Sequence, residues 1–146
     1  MRPVKVPLQL INLQNDGFHL LVEVVVFGQS FNLVLDTGAS KTVIDKETLE
    51  QFVSTDKILQ SEQFSTGLGT SEMPSFTLTL PQIKIGKLKI KDFDVAVLDL
   101  STITQAYRAL NLPPVIGVLG GDLLHLHRAV IDYNKTELKL HRIAAV

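Results

Sequence analysis

The apolar residues run almost without a break from His19 to Phe27, three residues of turn chemistry follow at Gly28-Gln29-Ser30, and Phe31 to Leu35 runs apolar again. Two short apolar, β-branched runs joined by a tight turn predict a hairpin. The pattern recurs along the chain. Thr42-Val43-Ile44 predicts a short strand, Ser75 to Leu80 alternates, and Gln82 to Ile85 and Leu88 to Leu98 flank a turn at Gly86-Lys87. Ala129 to Tyr133 and Glu137 to His141 flank another at Asn134-Lys135-Thr136.

Helical signals are few. Asp45 is placed to cap a helix over Lys46 to Phe52, and Ser101 to Leu110 carries Ile103, Ala106, Tyr107 and Leu110 at helical spacing before Asn111 and Pro113-Pro114. The apolar segment Val115 to Leu119 leads through Gly120-Gly121-Asp122 into a short helix, Leu123 to Leu126. Between Ser54 and Met73 the chain is polar, and Thr66-Gly67-Leu68-Gly69-Thr70 has the chemistry of a hairpin tip, expected to be mobile. These signals predict one all-β, barrel-like domain over residues 1–146 with two or three short helices.

Charge and composition remove several function classes. The 14 Lys and Arg are scattered among 15 acids for a net charge of −1, with no basic block in the sequence, so neither a nucleic acid nor a membrane partner is expected. The absence of Cys excludes disulfides, thiolate catalysis and Cys-ligated zinc. His125 and His127 would face apart on a helix, so no metal site and no cofactor are expected. Gly67-Leu68-Gly69 is too short for a phosphate loop. The aliphatic series Leu20–Phe27 and Val95–Leu98 reads as core, and Asp45, Asp122 and Asp132 as turn or cap residues. The N-terminal Met1-Arg2-Pro3-Val4-Lys5 lacks the apolar core of a signal peptide, which suits a cytoplasmic protein.

One acid stands out. Asp36 ends an apolar strand and is followed by Thr37-Gly38, so its carboxylate lies where the backbone turns sharply and amide donors can converge on it. In isolation Asp-Thr-Gly is more often a plain turn. Its surroundings, Phe31-Asn32-Leu33-Val34-Leu35-Asp36-Thr37-Gly38-Ala39-Ser40 and then Thr42-Val43-Ile44, resemble the active-site strand and loop of retropepsin-like aspartic proteases. Downstream, Val118-Leu119-Gly120-Gly121-Asp122-Leu123-Leu124 resembles that family's element of two apolar residues and a glycine, which packs behind the catalytic loop. Val130-Ile131-Asp132-Tyr133 and Leu138-Lys139-Leu140 resemble its closing strands. The resemblance extends over roughly Leu20 to Leu140, least well through Ser101 to Pro114.

The resemblance implies a retropepsin-like barrel acting on peptide or protein substrates as a homodimer, since a single chain carries one such Asp. Two Asp36 carboxylates would share a proton and activate a water between them, with no metal or covalent intermediate. Thr37 would brace the paired loops, Gly38 would let backbone amides approach, and Leu119 and Gly120 would pack behind. Thr66, Gly67, Leu68 and Gly69 would close over the substrate. Ala39 stands where two-lobed relatives commonly carry a hydroxyl, so the working pH is expected to be mildly acidic. Retroviral enzymes follow this Ala with two acids and place Arg after the downstream Gly; here Ser40-Lys41 and Gly121 stand instead, so the retroviral dimer ion pairs cannot form. A catalytically silent module that binds peptides or dimerises is the alternative, and a ligand-binding barrel with a central cavity is a third.

Overall fold

The structure, a computed structural model, describes residues 2–14, 16–60 and 75–143. In chain order it contains β1 (Val4–Asn12), β2 (Phe18–Val26), β3 (Gln29–Leu35), β4 (Val43–Asp45), α1 (Lys46–Leu49), β5 (Leu59–Gln60), β6 (Phe76–Ile85), β7 (Leu88–Leu98), α2 (Ser101–Ala109), β8 (Val115–Leu119), α3 (Gly121–Leu126), β9 (Val130–Asp132) and β10 (Glu137–Leu140). The architecture is all-β with three short helices. No helix among the described residues is long and apolar enough to cross a membrane.

The first hairpin turns one residue earlier than its glycine and polar residues suggest. Phe27 and Gly28 form the turn with φ of 52° and 75°, while Gln29 and Ser30 already pair with Val26 and Val25. A two-residue turn with both central residues left-handed matches the twist of the strands it joins. Phe27 is an unusual residue for that conformation. Its ring is held by stacking on Phe52, with centroids 5.5 Å apart.

Two expected strands, Ser75–Leu80 and Gln82–Ile85, are one. β6 runs straight through Pro81, with Leu80 opposite Phe93 and Gln82 opposite Lys91. Proline has no N–H to give the ladder, and Asp92 across from it adopts a φ of 52°. The strand β1 has no counterpart among the segments marked as strands in the sequence. Its alternation is plain once seen, with Val4, Val6 and Leu8 buried and Lys5 and Pro7 exposed.

Six strands close a barrel in the order β2-β3-β8-β4-β7-β6, and the ring is completed where Val25 and Val26 meet Lys84 and Ile83. β3 and β8 are parallel, as are β4 and β7. The interior is filled rather than hollow: Leu33, Ile44, Leu80, Ile83, Val97 and Leu119 are wholly buried in one continuous cluster. That packing leaves the ligand-binding barrel without its central cavity. β1 continues the sheet from β2 and carries β10 and then β9 at the edge.

A second, smaller cluster lies outside the barrel, where Tyr107 of α2 packs with Ile11, Leu21, Val34 and Val115. Tyr107 also stacks on His19 and its hydroxyl contacts the His19 Nδ1. The helical stripe expected to bury Ile103, Ala106, Tyr107 and Leu110 is only half covered: Ala106 is exposed and Leu110 is 44% exposed. A helix meeting a convex barrel touches it along one line, and the flanking apolar positions stay in solvent.

Candidate active site

Asp36 leaves the barrel at the end of β3. Its backbone N–H donates to the Leu119 carbonyl at 3.0 Å, extending the β3–β8 pairing by one bond. The chain then turns: the Ala39 amide donates to the Asp36 carbonyl at 3.2 Å, and the Gly38 amide donates to the Asp36 Oδ1 at 2.9 Å. The carboxylate is half-buried, with Thr37 and Gly38 exposed beside it and Ala39 half-buried.

A second layer of hydrogen bonds holds this turn from behind. The Gly121 amide donates to the Ala39 carbonyl at 2.7 Å and the Asp122 amide to the Ser40 carbonyl at 3.1 Å. Leu119 is wholly buried and Gly120 sits so close that an added Cβ would lie 2.5 Å from the Lys41 carbonyl carbon and oxygen and 2.9 Å from the Ala39 oxygen. Backbone cannot yield at those distances, so only glycine fits there. The two segments singled out in the sequence, 36–39 and 119–120, are therefore brought together although about eighty residues separate them in the chain. Thr66, Gly67, Leu68 and Gly69 lie outside the described residues; the flanking β5 and the start of β6 pair antiparallel, Gln60 opposite Phe76.

Two residues marked only as strand and cap positions bind the layers together. Thr42 is fully buried; its hydroxyl donates to the Asp122 Oδ1 at 2.9 Å and accepts from the Gly120 amide at 3.1 Å. Asp122 Oδ1 also accepts from the Thr42 amide at 3.0 Å and the Leu123 amide at 2.8 Å. The sequence signal for Thr42 was a lone hydroxyl heading an otherwise apolar strand, which only a partner from another segment explains. Asp45 caps α1 through the Thr48 amide at 3.2 Å and, with its other oxygen, accepts from the Leu100 amide at 2.9 Å. Asp132 serves the turn before β10, accepting from the Lys135 amide at 2.9 Å.

The two histidines stand apart from this site. His127 is buried with its Nδ1 against the His141 carbonyl at 3.0 Å, whereas His125 is exposed. Among the described residues no three His, Asp or Glu side chains are grouped as a metal would require.

Comparison with known proteins adds the family. The model of the family described as aspartyl protease matches residues 22–123. No curated protein sequence matches the chain. Among solved structures, the chain is similar to a retropepsin-like aspartic protease from Rickettsia conorii, with 24% identity, a TM-score of 0.59 and coverage of 96% of this chain and 95% of that one. It is also similar to the retroviral protease-like domain of Ddi1 from Leishmania major, with 16% identity, a TM-score of 0.60 and coverage of 86% and 90%. The barrel is thus the retropepsin-like fold, and, since the family match spans both the Asp36 turn and the Gly120 element packed behind it, the chain belongs to the aspartyl protease family.

Proposed function

We propose that the protein is an aspartic endopeptidase that works as a homodimer, with Asp36 of each copy forming the catalytic pair. The observation that carries the reading is the half-buried Asp36 carboxylate, held by the Gly38 amide on a turn anchored to Leu119 and Gly121. A single chain holds one such carboxylate, and the chemistry needs two: one ionised to take a proton from water, one protonated to stabilise the oxyanion that forms on the peptide carbonyl. Two like charges in contact resist joint ionisation, so the pair keeps one proton without further machinery. Exposed Thr37 is available to brace the two turns.

The silent-module alternative has one observation in its favour. The Ala39 and Ser40 carbonyls are engaged within the chain by the Gly121 and Asp122 amides, so the turn is stable without a partner copy. One experiment separates the readings. Sedimentation paired with digestion of a peptide library is expected to give a concentration-dependent dimer with cleavage at defined bonds. Asp36→Asn is expected to retain the fold and lower kcat by about 10²–10⁴-fold, the range for loss of a general base. Cleavage at the wild-type rate by Asp36→Asn would remove Asp36 from the mechanism, and no cleavage by any dimeric preparation would favour the silent module.

A further inference from the structure

The sequence shows no basic block, yet the fold assembles one. β1 and β10 pair up to Val4 opposite Leu140, which leaves Arg2 and Arg142 each two residues beyond the paired ends. The β6–β7 turn comes down on β1: an added Cβ on Gly86 would lie 3.1 Å from Val6 Cγ2, 3.5 Å from Val4 Cγ1 and 3.9 Å from the Lys5 carbonyl oxygen, which brings Lys87, the next residue, to this end of the strand. Arg2, Lys5, Lys87 and Arg142 line an open groove together with Pro3, Val4 and Gly86.

These cations are not neutralised locally. Among the described residues none of the four forms an ion pair; the one pair found there, Lys46–Glu50, lies on another element. Like charges gathered in one groove repel one another. The arrangement therefore favours any anion that enters, and a concave site focuses that field. The groove is far from Asp36. Leu21 pairs with Val34, so Asp36 emerges beside His19 and Ile11, six residues along β1 from Lys5, or about 20 Å at the rise of a strand.

We propose that this groove is a docking site for an acidic segment of the protein substrates, remote from the bond that is cut. The substrate part of the inference rests on the peptidase reading; the binding part does not. Two features favour an acidic peptide over a nucleic acid. The cations gather in one short groove and not along an extended track that could follow a phosphate backbone. Pro3 and Val4 add an apolar part to the lining, which suits side-chain stems and a peptide backbone better than a sugar–phosphate chain.

The test separates the two parts. Binding is measured by fluorescence anisotropy with the Asp36→Asn protein and a labelled ten-residue Glu-rich peptide, so that no cleavage is involved. Binding that weakens with salt is expected, with affinity falling about tenfold or more in Lys5→Gln/Lys87→Gln/Arg142→Gln and unchanged in the distant control Lys57→Gln/Arg108→Gln/Lys135→Gln. Circular dichroism establishes that both variants fold; if the groove triple variant does not, the Lys87→Gln single variant, on an exposed turn, is expected to weaken binding in the same direction. Equal loss in groove and control variants, no binding at low salt, or tighter binding of duplex DNA or anionic vesicles than of the peptide would overturn the proposal. With wild-type enzyme, a peptide bearing an acidic extension about eight residues from its cleavage site should show a lower KM than the same peptide without it, at unchanged kcat, and the advantage should vanish in the groove variant. Peptide binding without any cleavage would sink the peptidase reading and leave the groove as an acidic-peptide site.

Discussion

Thr42→Val tests how the Asp36 turn is held. Valine is nearly isosteric with threonine, so the wholly buried site gains no cavity. What changes is the hydroxyl. The Gly120 amide, which donates to it at 3.1 Å in a buried position, is left without a partner, a loss of about 1–3 kcal/mol. Asp122 loses one of its donors, the 2.9 Å bond from Thr42 Oγ1, but keeps the Thr42 and Leu123 amides, which limits that loss to about 1 kcal/mol. Together the cost is about 2–4 kcal/mol. Urea unfolding of a domain of this size has a slope near ~2 kcal/mol per molar, so the midpoint should fall by about 1–2 M at constant slope. Thr42→Ser keeps both bonds, gives up one methyl group, and should lose only about 1 kcal/mol. A Thr42→Val midpoint within about 0.3 M of wild type would refute this account of the turn. So would a Thr42→Ser protein as unstable as Thr42→Val, because the methyl contact and not the hydroxyl would then be the source of stability.

Gly120→Ala should be more severe for function than for fold, because its Cβ would displace the Lys41 and Ala39 backbone that supports Asp36: peptide cleavage is expected to fall about 10²-fold or more, with stability reduced by about 1–3 kcal/mol, and wild-type turnover would contradict the 2.5 Å approach. Asp45→Ala removes both the α1 cap and the partner of the Leu100 amide, and thermal denaturation should show a loss of about 2–4 kcal/mol; Asp45→Asn should restore only part of it, because its one acceptor oxygen can serve the Thr48 or the Leu100 amide while its NH2 faces the other donor. Burial raises the Tyr107 phenol above its ordinary range near pH 10. The folded protein therefore holds that proton more tightly than the unfolded chain, and stability present below about pH 10 is lost as pH rises towards the folded value. Tyr107→Phe should flatten that alkaline decline in urea midpoints measured between pH 9 and 11, and an equally steep decline would assign it to other groups.

The strands and the acid could be read from the sequence because both depend on near neighbours. The strand pattern of Leu88–Leu98, the apolar run into Asp36 and the Asp45 cap are properties of a few consecutive residues, and the structure has each of them within a residue or two. Errors arose where a local signal was overruled. Phe27 takes a turn position that its side chain disfavours because Phe52 stacks on it, and β6 runs through Pro81 because Val25 and Val26 on one side and β7 on the other pair with it. What only the tertiary structure decided was which distant segments meet. Nothing within a few residues of Thr42 tells that its hydroxyl lies between Asp122 and Gly120, or that scattered Arg2, Lys5, Lys87 and Arg142 share one groove. Sequence patterns report the energy of a segment against solvent and its own neighbours, whereas hydrogen bonds and charge fields act across whatever short distances the closed barrel creates.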